Sequence, residues 1–215
     1  QFLFSFRFGA IPSELLGRVE MGSEMVQFGQ EVLILNLSSP FPIWTTIFTS
    51  MFLHGGFIHL GGNMLYLWVF GDNIEHRFGH FRYLIFYFVS GFVAVWAHVL
   101  IHPSSTVPII GASGAIAGVL GAYFLLFPHS RITTLFVIGF IFLARVPALI
   151  LLGFYALLQV FSGVWSLIPE NPAIGGVAYF AHLGGLIVGL ATAGVFKLIR
   201  KEPFVDRSYK PRNLY

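Results

Sequence analysis

Long apolar runs separated by short charged stretches dominate the chain. A membrane-spanning helix needs about 20 residues to cross a hydrocarbon core about 30 Å thick. Four runs indicate such helices, at residues 57–70, 83–101, 147–165 and 177–199, and a shorter fifth run covers residues 113–127. This pattern predicts an all-α fold, namely a polytopic membrane helix bundle.

Basic residues cluster at one set of the segment ends, which orients the predicted helices. They are Arg77 and Arg82 between the first two segments, Arg131 and Arg145 after the short one, and Lys197, Arg200 and Lys201 at the end of the last. The opposite loops carry almost no basic residue beyond Arg18. Because cytoplasmic loops are enriched in Lys and Arg, the basic ends are expected to face the cytoplasm.

Two further apolar segments are too short to cross. Residues 133–143 (TTLFVIGFIFL) are predicted to be interfacial or re-entrant, because one helix running through them into the next span would bury Arg145 near mid-membrane at a cost of several kcal/mol. Residues 41–53 (FPIWTTIFTSMFL) are predicted to lie half-embedded at the outer face.

Composition agrees with a membrane protein, since 56% of the residues are hydrophobic and 10% are charged. The chain contains no cysteine, which excludes disulfides and thiolate metal sites, and membrane topology accounts for its small positive charge without a nucleic-acid partner. Residues 1–8 are expected to be the end of a truncated first transmembrane helix. Residues 9–201 are expected to form the membrane domain, and residues 202–215 a cytoplasmic tail.

Candidate chemistry begins at the short segment, which starts inside Gly-Ala-Ser113-Gly. Its roughly 15 residues reach only about 22 Å from the cytoplasmic side, so Ser113 should lie below the outer surface. The preceding loop must then dip into the membrane. Irregular backbone is tolerated there only where it is buried in protein or lines a water-filled cavity.

His182 lies about five residues into the last helix, at a depth similar to that of Ser113. A neutral imidazole can take the serine proton, and serine needs such a base to become a nucleophile. No Asp or Glu occurs in the outer half of any predicted span. We therefore expect a Ser-His dyad without a carboxylate.

His59 and Asn63 are four residues apart at the outer end of the first span and share one helical face. Both can donate hydrogen bonds. Together with the backbone N–H of Ser113, they are candidates for stabilising an oxyanion.

Glycines at four-residue spacing are expected to bring two helices close together. They are Gly114 and Gly118 in the short segment and Gly185 and Gly189 in the last one. Gly-x-Ser-Gly alone is more often a packing motif than a catalytic one, and the polar groups could simply be hydrogen-bonded between helices. Four polar groups at one depth, beside glycine faces and a dipping loop, make catalysis and structural packing equally good interpretations.

Four sequence blocks resemble the rhomboid intramembrane serine proteases, namely HGGFIHLGGNM (54–64), GDNIE (71–75), GASGAIAG (111–118) and AHLGG (181–185). The resemblance implies a six-helix core whose first helix is largely missing from this chain. It implies Ser113 as the nucleophile, His182 as the base, and His59 with Asn63 as oxyanion donors. It also implies transmembrane protein substrates cut near the outer end, and no cofactor.

Some members of that family carry an aromatic residue one turn after the serine, where this chain has Ala117, so His182 should be held by other packing. Trp165 and residues 166–176 are candidates for gating substrate access, and the role of His54 stays open between the site and the outer loop. His76 and His80 are not expected to bind a metal.

Two rival functions remain. One is a catalytically inactive rhomboid-like binder of transmembrane helices, against which the four intact polar residues argue. The other is a transporter or channel, which would show repeated halves with broken helices. The expected location is the lipid bilayer of a bacterial or archaeal plasma membrane.

Overall fold

The computed structural model of the protein describes residues 2–28, 31–168 and 177–203. Within these ranges the α-helices are α1 (Phe2–Phe8), α2 (Pro12–Leu15), α3 (Thr46–Thr49), α4 (Phe57–Tyr66), α5 (Asp72–Phe78), α6 (His80–Ile101), α7 (Ser113–Leu126), α8 (Ala148–Trp165) and α9 (Tyr179–Arg200). Short 3₁₀ turns at Ile43–Thr45 and Ser50–Phe52 flank α3. Two antiparallel strand pairs are β1 (Ser23–Phe28) with β2 (Glu31–Asn36), and β3 (Arg131–Ile138) with β4 (Phe140–Pro147).

The predicted membrane helix bundle is confirmed. Of the described helices, α6, α8 and α9 are each long and apolar enough to cross a membrane. The first predicted span runs from α4 through a π-helical turn at Leu67–Gly71 into α5, so it continues beyond its predicted end at Phe70 to Phe78. The chain then turns at Gly79, whose φ of 83° suits glycine, directly into α6.

The strand pairs are additions that the sequence analysis did not predict. In the apolar stretch after α7, the register runs from Arg131 opposite Pro147 to Ile138 opposite Phe140. The stretch is rich in β-branched and aromatic residues, which favour strands, and Gly139 with φ 77° supplies the turn. An unpaired strand edge is not stable in a hydrocarbon core. The interfacial position therefore remains the prediction for this hairpin.

Helix α7 is the centre of the bundle and is buried on all its faces from Gly114 to Tyr123. It packs most extensively against α9 and α6. A helix that is apolar all round is suited to such a central position, because none of its faces needs to meet water. Ser113 thus lies at the start of a helix that is buried on all its faces.

Glycines allow the backbones of α7 and α9 to touch. A Cβ atom added at Gly185 would lie 2.0 Å from the carbonyl oxygen of Gly114, and one at Gly189 would lie 1.9 Å from that of Gly118. Both distances are far below van der Waals contact. Any larger residue at these positions must therefore push the two helices apart.

At the end of the bundle away from Ser113, several charged side chains form polar contacts. Arg77 forms an ion pair with Glu202, His80 contacts Glu75 at 2.6 Å, and the buried Lys197 donates to the carbonyl of Pro203 at 2.9 Å. Residues 204–215 of the predicted tail lie outside the described residues.

Substitution of Gly189 by alanine tests this close packing. Gly189→Ala is expected to lower the free energy of unfolding by about 1–3 kcal/mol, because the added methyl group overpacks the interface. Gly61→Ala on α4 is the matched control, since a Cβ there meets nothing within 4 Å. Thermal unfolding in detergent micelles measures both variants. Equal midpoints for the two variants would contradict the packing argument.

Candidate active site

Backbone hydrogen bonds fix the loop that leads into Ser113. Ile109 and Ala10 exchange two backbone hydrogen bonds of 2.8 and 3.0 Å, and the N–H of Gly111 donates to the carbonyl of Ser50 at 2.9 Å. Gly111 has a φ of 115°, a conformation that favours glycine, and the chain enters α7 two residues later. The predicted irregular segment before the serine is therefore held by two other parts of the chain.

Ser113 and His182 are brought together where α7 and α9 begin. The Oγ atom of Ser113 lies 2.8 Å from Nε2 of His182, a normal hydrogen-bond distance. Both residues lie in the first turn or two of their helices, so the glycine contacts between α7 and α9 set the distance between them.

Gln159 of α8 is a site residue that the sequence analysis missed. Its Oε1 atom lies 2.8 Å from Nδ1 of His182, on the side of the ring away from Ser113. An amide oxygen can only accept, so this contact fits the tautomer with the ring proton on Nδ1, in which Nε2 can accept from the serine hydroxyl. The signal in the sequence was an amide in the otherwise mostly apolar α8 (ALILLGFYALLQVFSGVW).

His59 and Asn63 lie in α4 beside the same loop. The N–H of Gly55 donates to Nδ1 of His59 at 3.1 Å, so the neutral ring carries its proton on Nε2. A Cβ added at Gly111 would lie 2.9 Å from that Nε2 atom. The donor therefore lies beside the loop that leads into Ser113. Asn63 is buried and donates one amide hydrogen to the carbonyl of His59 at 3.0 Å, which leaves its second amide hydrogen as a further donor.

One cavity of about 950 Å³ joins these groups. Its lining includes Ser113, His182, His59 and Asn63, together with Tyr155 of α8. Within the described part of the chain, no group of three His, Cys, Asp or Glu side chains could hold a metal ion. The arrangement can accept a proton from a hydroxyl and donate hydrogen bonds to an oxygen atom in the cavity.

Three further residues singled out in the sequence, Ala117, His54 and Trp165, make no hydrogen bond to the dyad among the described contacts. Ala117 is fully buried and offers no ring to His182. His54 packs edge-on against His59 with ring centroids 5.2 Å apart, and burial, with a smaller contribution from His59, lowers the pKa of His54 below its usual range. Trp165 is half-exposed at the end of α8, and residues 169–176 of the proposed gating loop lie outside the described residues.

The sequence of the chain is similar to those of several known proteins. The Rhomboid domain family model matches residues 42–198. The chain is 34% identical over 149 residues to Rhomboid protein 1, mitochondrial, of Saccharomyces cerevisiae, a match that covers 67% of this chain and 40% of the yeast protein. It is 30% identical over 164 residues to Rhomboid protease GluP of Bacillus subtilis, covering 76% of this chain and 28% of that protein.

A third relative is Rhomboid protease AarA of Providencia stuartii. It is 36% identical over 113 residues, which cover 46% of this chain and 39% of the relative. The matched part of the chain thus spans less than half the length of each of these three relatives.

Proposed function

Because this chain belongs to the rhomboid family, we propose that it is an intramembrane serine endopeptidase that cleaves transmembrane segments of other membrane proteins with a Ser-His dyad. The observation that carries the proposal is the 2.8 Å hydrogen bond between Ser113 Oγ and His182 Nε2 inside a membrane helix bundle. Two of the relatives are named as proteases, which supports the same reaction class.

The first step is attack of Ser113 Oγ on the carbonyl carbon of the scissile peptide bond. The hydroxyl proton passes to Nε2 of His182, which already accepts it as a hydrogen bond in the resting site. A tetrahedral intermediate forms, and negative charge develops on the former carbonyl oxygen.

Three donors are available to that oxygen. They are the backbone N–H of Ser113, Nε2 of His59 and the second amide hydrogen of Asn63. The N–H groups in the first turn of α7 have no acceptor within their own helix, and the helix dipole adds positive potential there. Fixed donors of this kind lower the energy of the intermediate, because they need no reorganisation as the charge appears.

Collapse of the intermediate breaks the C–N bond. Protonated His182 gives its proton to the leaving amine, and the other half of the substrate stays bound to Ser113 as an ester. A water molecule then attacks the ester, His182 takes its proton and returns it to Ser113 Oγ, and a carboxylic acid leaves. The cycle consumes one water and needs no cofactor.

A transmembrane substrate would have to bring its scissile bond into the cavity that holds Ser113. In a helical substrate each carbonyl is hydrogen-bonded and shielded, so the segment must unwind before its scissile carbonyl can reach Ser113. As the family resemblance implies, we propose cleavage near the outer end of the substrate, at a small residue where the helix unwinds. The proposed location is a bacterial or archaeal plasma membrane, whereas the yeast relative is mitochondrial by name.

The alternative is a catalytically inactive rhomboid-like binder of transmembrane helices. Such a protein needs the cavity but not an activated serine. The aligned Ser113 and His182, with two donors beside them, favour the protease.

Labelling with a fluorophosphonate probe distinguishes the two functions. Wild-type protein in detergent is expected to be labelled at Ser113, whereas Ser113→Ala and His182→Ala should lose both labelling and cleavage of a transmembrane substrate by at least about a thousandfold. The fold of each variant is checked by thermal unfolding. A folded wild type that neither reacts nor cleaves would favour the binder.

Removal of the oxyanion donors tests their role separately. His59→Ala and Asn63→Ala are each expected to lower kcat by about a hundredfold to a thousandfold with a smaller change in KM, since the donors act on the transition state. Leu60→Ala is the control, because Leu60 is partly exposed on the same helix between the two donors. Wild-type kcat in both donor variants would remove them from the mechanism.

A further inference from the structure

A third polar group contacts the proposed dyad on the side of His182 that faces away from Ser113. Oε1 of Gln159 lies 2.8 Å from Nδ1 of His182, while Nε2 of the same ring lies 2.8 Å from Ser113 Oγ. We propose that Gln159 is the positioning residue that sets the tautomer and orientation of His182. This inference rests on the proposed protease function.

The chemistry of the amide explains how Gln159 would act. A neutral imidazole carries its proton on either ring nitrogen, and only the form with the proton on Nδ1 leaves Nε2 free to accept the serine proton. In the amide orientation of the structure, the Gln159 oxygen faces Nδ1 and accepts from Nδ1–H, which favours that form. A polar group buried away from water also needs such a partner, because an unpaired N–H in apolar surroundings is unfavourable.

The position of Gln159 on α8 directs it towards α9. The buried residues of α8 among those described are Ala148, Leu152 and Gly163, and Gln159 falls on the same helical stripe, seven residues after Leu152 and four before Gly163. A Cβ at Gly163 would lie 3.5 Å from the side chain of Tyr179 at the start of α9. The start of α9 thus lies next to α8 at Gly163, about one turn from the hydrogen bond.

An amide suits this location better than a carboxylate. Helix α8 is one of the helices able to span a membrane, and many of its side chains are exposed on the surface of the bundle. An ionised group on such a helix is costly in a bilayer, whereas an amide supplies an acceptor oxygen without charge. The position one turn after the serine is occupied by the small, buried Ala117, so Gln159 takes over the support of the ring.

Two substitutions separate a positioning role from a packing role. Gln159→Met keeps the length of the side chain but removes the acceptor, and is expected to lower kcat about fivefold to tenfold with KM unchanged. Gln159→Glu keeps an acceptor oxygen whether or not it is protonated, and is expected to retain more of the wild-type kcat than the Met variant. A residue needed only for packing would show the reverse order, because methionine fits an apolar helix better than glutamate.

The measurement is steady-state cleavage of a fluorescent transmembrane substrate in liposomes. Leu157→Met, on the exposed side of α8, is the control and should keep wild-type kcat. Wild-type kcat in Gln159→Met, or a lower kcat in Gln159→Glu than in Gln159→Met, would overturn the proposal. Ser113→Ala is run in parallel: an inactive wild type refutes the protease function itself, whereas an active, Ser113-dependent wild type with an unaffected Met variant refutes only the role of Gln159.

A measurement on the wild type covers the case in which a variant does not fold. Nitrogen-15 NMR of histidine-labelled protein, with the His182 signals assigned by their loss in His182→Ala, reports which ring nitrogen carries the proton. We expect Nδ1 protonated and Nε2 unprotonated in the resting enzyme. The opposite tautomer would overturn the proposal whatever the variants do.

Discussion

Between α7 and α9, backbone carbonyl oxygens occupy the space that side chains would need. The oxygens of Gly114 and Gly118 lie within 2.0 Å of the positions that Cβ atoms would take at Gly185 and Gly189. Lipid tails are as apolar as leucine, so helices in a membrane gain little by hiding apolar surface, and close packing of small faces holds them together instead. This contact fixes the two helix starts relative to each other, and it thereby fixes the distance from Ser113 to His182.

The site is a composite of distant segments. The loop before Ser113 is tied by backbone hydrogen bonds to Ala10 near the start of the chain and to Ser50 in the short helical region. The polar side chains come from α4, α7, α8 and α9. Polar groups at this depth have few alternative partners, so each hydrogen bond also defines one arrangement of the helices that carry it.

Motif spacing in the sequence was enough to predict the start of α7 at Ser113 and the meeting of Ser113 with His182. The apolar runs also placed α8 and α9 to within two residues of their observed ends. These features depend on local composition and on helix depth, both of which a single sequence carries.

Other features depend on neighbours that the sequence does not reveal. Gln159 faces either the bundle or the lipid according to the rotation of α8, which is set by its contact with α9. The helix of the first span continues to Phe78, where Ile74 and Phe78 are buried in the core and Arg77 pairs with Glu202, a residue distant in sequence. The hairpin around Gly139 depends on cross-strand pairing, and an apolar run of that length is equally compatible with a short helix.

We propose that Ser113, His182 and the α4 donors form one reaction centre. The most direct test is the structure of the protein after reaction with a fluorophosphonate. We expect a phosphorus bonded to Ser113 Oγ, with its free oxygen within about 3 Å of His59 Nε2 and of the amide nitrogen of Asn63. An adduct on another residue, or a phosphoryl oxygen directed away from both donors, would contradict it.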